Sequence, residues 1–189
     1  GNDGDTDSNT ETATITITAV NDAPVAKAVS GSGNEGGTIN TTLTATDMDD
    51  TTGFTFSIVG QPANIPADSV IHISVADYNS GTFTATATYA HDGSETLSDS
   101  FTYKGNDGDT DSNTEAATIT ITAVNDAPVA AAVNSSGNEG GTITTTLTAT
   151  DVDDVDGFTF SIVSQPTNIT GTVSIGSVSY ASGTFTATA

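Results

Sequence analysis

The chain has 189 residues, 24 of them acidic and only two basic (Lys27 and Lys104), for a formal net charge of −22. Nothing in it could neutralise a phosphate backbone, so nucleic acid is excluded as a partner, and with no cysteine it holds neither a disulfide nor a thiolate metal site. No apolar run approaches the roughly 20 residues of a membrane helix, and no basic stretch followed by an apolar one opens the chain as a secretory leader would.

In chain order, the first feature is a segment that comes back. Residues 1–26 read GNDGDTDSNTETATITITAVNDAPVA, and residues 105–130 repeat them with one change, Thr12 to Ala116. SGNEGGTINTTLTATDMDD at 32–50 returns at 136–154, FTFSIV at 54–59 returns at 158–163, and GTFTATA at 81–87 returns at 183–189. A repeat this long is a whole domain, not a solenoid turn. Asn21-Asp22-Ala23-Pro24 and Asn125-Asp126-Ala127-Pro128 punctuate it as turn-rich linkers. The predicted organisation is therefore residues 1–21 as the C-terminal strand of a preceding repeat, 22–125 as a complete repeat and 126–189 as part of a following one. On this reading the sequence is a window on a longer array.

Period-two alternation dominates. Strands are predicted at 25–29, at 39–46 with Ile39, Thr41, Leu43 and Ala45 inward, and at 54–58 with Phe54, Phe56 and Ile58 inward. Others follow at 70–75, at 83–89 (Phe83, Ala85, Ala87 and Tyr89 inward), around Phe101 and Tyr103, and at 117–123 (Ala117, Ile119, Ile121 and Ala123 inward). About seven short strands per repeat predict an all-β protein of tandem Greek-key β-sandwiches, immunoglobulin- or cadherin-like. The 38 threonines suit the pleated outer faces.

The carboxylates are grouped, not scattered. Asp47-Met48-Asp49-Asp50 and its copy Asp151-Val152-Asp153-Asp154 follow strands; Asn34-Glu35-Gly36 recurs at 138–140; His91-Asp92-Gly93-Ser94-Glu95 occurs once. Carboxylates this close repel one another, and a hard cation taking six to eight oxygen ligands relieves the conflict. Ca²⁺ is the predicted cofactor. The Asp3/Asp5/Asp7 and Asp107/Asp109/Asp111 runs are not EF-hands, because Ser8 and Ser112 stand where glycine is required and no helices flank them.

The stretches LTATDMDDTTGFTFSIV and SDSFTYKGNDGDTDSNTEAATITITAVNDAPVA resemble the cadherin-like (VCBS-type) repeats of very large bacterial surface adhesins, and HDGSET also resembles the cadherin-like repeats of chondroitin sulfate proteoglycans. The resemblance implies calcium at the junctions between domains. Carried over by motif, one junction would use Glu35, Asp92, Glu95, Asn125, Asp126, Asp151 and Asp153. The preceding junction would use Asn21, Asp22, Asp47, Asp49 and Asp107. The linker lacks the longer acidic cadherin sequence and HDGSE replaces the cadherin acidic-basic-acidic motif, so fewer than three ions per junction are expected.

The predicted function is a calcium-stiffened extracellular spacer at the cell surface, partnered by neighbouring repeats or identical subunits, with a cell-surface or polysaccharide target. Two alternatives stand beside it: a filament subunit completed by strand addition between chains, and a carbohydrate- or protein-binding module using the variable 60–80 loops. Catalysis is not expected, since neither His72 nor His91 has a serine or cysteine nucleophile setting.

Overall fold

The computed structural model describes all of residues 1–189, and its regular elements are strands only. Between the linkers lie β1 (Val25–Ala26), β2 (Val29–Asn34), β3 (Thr38–Thr46), β4 (Thr55–Gly60), β5 (His72–Ile73), β6 (Asp77–Asn79), β7 (Thr82–Ala90), β8 (Ser98–Asn106) and β9 (Glu115–Thr122). One sheet runs β1-β3-β7-β5, with β6 also on β7; the other runs β2-β9-β8-β4. The alternating residues of β3 and β7 bury Ile39, Leu43, Ala87 and Tyr89 against Phe101, Tyr103, Ala117, Ile119 and Ile121 of the opposite sheet. The result is the predicted all-β immunoglobulin-like sandwich.

Two predicted strands resolve differently. The single strand expected over 25–29 is a crossover: Val25–Ala26 pairs antiparallel with β3, then the chain switches sheets and Val29–Asn34 pairs parallel with β9. One segment thus covers an edge of both sheets. After Val29, which packs against the core, its inward positions are glycines, because there is no room for a side chain. A Cβ on Gly31 would lie 2.2 Å from Thr41 Oγ1, and one on Gly33 2.5 Å from Ile39 Cγ1. The strand expected over 70–75 is only His72–Ile73, and Asp77–Asn79 is added beside it. Ala123, expected inward, lies beyond the end of β9 and is exposed.

The Tyr103 hydroxyl clamps the crossover. It donates to Lys27 O, lies 3.1 Å from Thr44 O, and accepts from Thr44 N at 3.3 Å. The Asn113 side chain does the same for β1, accepting from Ala26 N at 2.9 Å and donating to Ala26 O at 3.2 Å.

Residues 126–189 form one sheet, β10 (Val129–Ala130), β11 (Thr146–Thr150), β13 (Thr184–Thr188) and β12 (Ser179–Ala181), in the order β10-β11-β13-β12. Its registers copy β1-β3-β7-β6, and the Phe158–Phe185 stack at 4.5 Å copies Phe54–Phe83 at 4.3 Å. The counterparts of β2 and β4 form no ladder here, because their partners in the complete repeat, β9 and β8, have no counterparts within 126–189. For the same reason the segment expected as the C-terminal strand of a preceding repeat, 1–21, forms no ladder with this chain. Thr10–Val20 pairs with nothing, and Ile15 and Ile17 stand 84% and 88% exposed.

Replacing Tyr103 by Phe should cost about 1–3 kcal/mol, because Lys27 O and Thr44 lose a buried partner. Denaturant unfolding measures it; a change within about 0.5 kcal/mol, the scale of an ordinary surface substitution, would mean the hydroxyl does not hold the crossover.

Candidate metal centres

At one end of the complete domain, the turn after β3 is built on Asp47. Its Oδ1 accepts the backbone N–H of Asp49 and Asp50, each at 2.8 Å, a local side-chain turn that needs no other element. The loop after β8 uses the same device: Asp107 Oδ1 accepts from Asp109 N at 2.7 Å and Thr110 N at 2.6 Å. The two loops bring Asp47, Asp50 and Asp107 together, with carboxylate oxygens within 4.8 Å of one another. Asp47 and Asp107 are 7% and 6% exposed. Three buried side-chain oxygens have no hydrogen-bond partner, on Thr41, Tyr89 and Asp47, and Asp47 Oδ2 is the only one of them on a carboxylate. Lost solvation and the charges of Asp47, Asp107, Asp49 and Asp109 hold the Asp50 carboxyl above its ordinary range. Asp107 is held below it by the backbone N–H of Thr110 and by Asn21, among other hydrogen bonds.

The preceding linker is tied to this end. Asn21 Nδ2 donates to Asp107 Oδ2 at 3.1 Å, and Asp22 N donates to Asp49 Oδ2 at 2.7 Å. Asp49 therefore serves the linker, while Asp50, which was not among the predicted ligands, joins the carboxylate group. The DMDD motif contained that signal; spacing alone could not tell which of its carboxylates turns inward.

At the opposite end, Glu35, Glu95 and Asp126 bring carboxylate oxygens within 4.8 Å of one another. Glu35 follows β2, Glu95 lies between β7 and β8, and Asp126 belongs to the linker into the next repeat. Glu35 Oε2 accepts from Val124 N at 3.2 Å, and Asp153 Oδ2 accepts from Asp126 N at 2.5 Å. Between these two grips only Asn125 intervenes, and its side chain donates to Asp126 O at 2.8 Å. Asp151 Oδ1 accepts from Asp153 N and Asp154 N, repeating the Asp47 turn. Asp92 does not enter the group: its Oδ1 is taken by Ser94 N at 2.9 Å, and hydrogen bonds from Ser94 hold its carboxyl below the ordinary range. Glu95 is pushed up to about 7, first by lost solvation and then by the charges of Asp153, Glu35 and Asp126, with a contribution from a hydrogen bond with Glu35.

No basic side chain answers these charges. Lys104 pairs with Asp111 at 2.5 Å, and Lys27 makes no ion pair. The donors are oxygens throughout, a set that fits a hard cation such as Ca²⁺ and not a soft one.

The sequence profile described as "Bacterial Ig domain" matches residues 21–122 and again 125–189. The chain belongs to the bacterial Ig domain family. Both of its matched stretches are thus bacterial Ig domains in tandem, with Asn21-Asp22 and Asn125-Asp126 at the boundaries. Among solved structures the chain is similar to "Structure of surface layer protein SbsC, domains 4-9", at 14% identity and a TM-score of 0.31, covering 89% of this chain and 26% of that one. It thus spans about a quarter of that chain. No curated protein matches it.

Raising a carboxyl pKa above its unfolded value means the folded state holds the proton more tightly. In chelator, the Glu95 contribution to stability should therefore rise as pH falls from 8 through 7 toward 4.5. Proton and cation compete for the same oxygens, so calcium affinity should fall over the upper part of that interval. Thermal melts in chelator and calorimetric titration at pH 8 and 6 check both; in E95Q each pH dependence should flatten.

Proposed function

We propose that this chain is part of a calcium-stiffened extracellular spacer, a run of tandem domains in a bacterial surface adhesin or fibre. What supports the reading is the pairing of an unanswered carboxylate group at each end of the domain with a linker gripped from both sides. Each group draws on a linker or lies against one. Asp47 Oδ2, buried, unpartnered and facing two other carboxylates, is the observation that carries it.

Glu35 and Glu95 of one repeat and Asp126 of the next linker would hold the ion at one junction, with Asp153 beside them. Asp47, Asp50 and Asp107 would hold it at the other, with Asn21 and Asp22 from the incoming linker. The positive charge bound there would allow carboxylates of successive repeats to ionise side by side. Without it, Glu95 and Asp50 keep protons or repel their neighbours, and the hydrogen bonds on Val124 and Asp126 are left to hold the linker alone. Each is an exposed contact, easily exchanged for water.

Reach then scales with copy number. Each repeat adds roughly 40 Å, from strands of about ten residues at about 3.3 Å per residue plus end loops. The long sides suit a spacer, since β3 and β7 present paired Thr42–Thr86, Thr44–Thr84 and Thr46–Thr82 outward with no charge among them. The finer likeness to cadherin-type adhesin repeats, a location outside the cell and a cell-surface or polysaccharide target all belong to this proposal. Millimolar extracellular calcium can fill weak sites of this kind.

Small-angle scattering and thermal melting of this chain, with calcium and with chelator, test it. Calcium should extend and narrow the distribution of shapes. At a hundredfold excess over the dissociation constant it should stabilise the fold by about 2.7 kcal/mol per site. D47N and D126N should each remove one site's share. Identical scattering and melting in both buffers would end the proposal.

A further inference from the structure

We infer that His91 is a positioning residue for the Glu35–Glu95–Asp126 group: one buried imidazole fastens the two loops that present Glu35 and Glu95 to the linker. The inference rests on the metal reading proposed above and goes beyond it, because His91 offers no ligand atom to the group.

His91 directly follows β7 and is 3% exposed. Its ring makes three contacts, and each falls beside a carboxylate that matters. Nδ1 lies 3.3 Å from Gly36 N, the residue after Glu35. The same Nδ1 lies 3.2 Å from Gly93 N, two residues before Glu95. Nε2 lies 3.2 Å from Thr96 Oγ1, the residue after Glu95. Both groups facing Nδ1 are backbone N–H donors, so Nδ1 is the acceptor and the ring proton sits on Nε2, pointing at the Thr96 hydroxyl. With its lone pair used this way, Nδ1 makes no ion pair with Asp92 Oδ1, 3.9 Å away.

The backbone is shaped to allow this. Gly36 and Gly93 have φ of +60° and +83°, where side chains are strained, and an added Cβ on either would lie about 4 Å from the other's Cα. The two loops therefore meet backbone to backbone, and their N–H groups converge on one nitrogen. His91 N donates to Gly37 O at 2.9 Å and Asp92 N to Asn64 O at 3.1 Å, so the ring is itself anchored. From there the chain of contacts runs outward: Glu35 N to Thr122 O at 2.9 Å, then Glu35 Oε2 to Val124 N. The imidazole thus sets the separation of two carboxylates that belong to different loops. Neighbours that orient metal ligands in this way typically change metal affinity by about 10- to 100-fold when removed.

The test is calcium titration of the whole chain by calorimetry, in two backgrounds. D47N leaves the His91 end to be read alone; E95Q leaves the Asp47 end. In D47N, H91L should weaken calcium binding by about 10- to 100-fold. H91N, whose side-chain carbonyl lies where Nδ1 lies, should stay within about threefold. In E95Q, H91L should leave the remaining site unchanged. If H91L does not fold, H91N against H91Q decides, because Gln reaches Thr96 and not the two backbone donors: H91N should bind and H91Q should not. Unchanged affinity in H91L, equal loss at both ends, or equal behaviour of H91N and H91Q overturns the inference while leaving the metal reading in place. With His91 intact, calcium uptake in E95Q but not in D47N overturns the inference and leaves the Asp47 site in place; uptake in neither sinks the reading and the inference together.

Discussion

Three carboxylates with oxygens inside 4.8 Å, at each end of the domain and paired with no lysine, form the constraint around which the rest is arranged. At such separations like charges oppose one another unless protons or counter-ions intervene. The fold does not relieve this by dispersing the charge. It concentrates it: both loops at one end turn on aspartates that take up their own backbone N–H groups, which leaves Asp47 Oδ2 unpartnered and Asp107 Oδ2 to accept from Asn21. The paired threonines of β3 and β7 face outward uncharged, while the acidic groups gather at the two ends.

That arrangement joins stability to connectivity. The core of β3, β7, β8 and β9 is complete within one repeat, and its aromatic and aliphatic burial does not depend on a neighbour. The ends are different. Glu35 and Glu95 belong to one domain, Asp126 to the linker and Asp153 to the next domain, so whatever neutralises them acts on the angle between domains as well as on their melting. A bacterial Ig domain in tandem therefore has two separable energies, one interior and one at its joints. The raised Glu95 carboxyl makes the joint energy sensitive to pH near 7.

Much of this was legible in the sequence, for identifiable reasons. Alternation in 39–46, 83–89 and 117–123 fixes which residues face inward, because a strand has only two faces and threonine marks the wet one. Alternation says nothing about which strand is a neighbour, so the sheet switch at Lys27–Ala28 and the parallel pairing of β2 were out of reach. The acidic groups were visible as clusters. Asp50 was missed because four adjacent residues of a turn point four ways, and only the backbone decides which. Asp92 was over-read for the same reason: its carboxylate serves its own loop. His91 looked like a turn residue with no chemistry, since nothing local reveals that Gly36, 55 positions away, donates to its ring.

Near-identity between repeats poses a folding problem that side chains cannot solve. Ala13, Ile15 and Ile17 present the same inward row as Ala117, Ile119 and Ile121, so the segment Thr10–Val20 would fit beside β2 as well as β9 does. Discrimination has to come from the chain itself. β9 follows β8 through the short Asp107–Thr114 turn, which Asp107 and Asn113 hold with local hydrogen bonds, so its ladder closes a small loop at small entropic cost. The self-bonded Asp107 turn thus shortens the native connection.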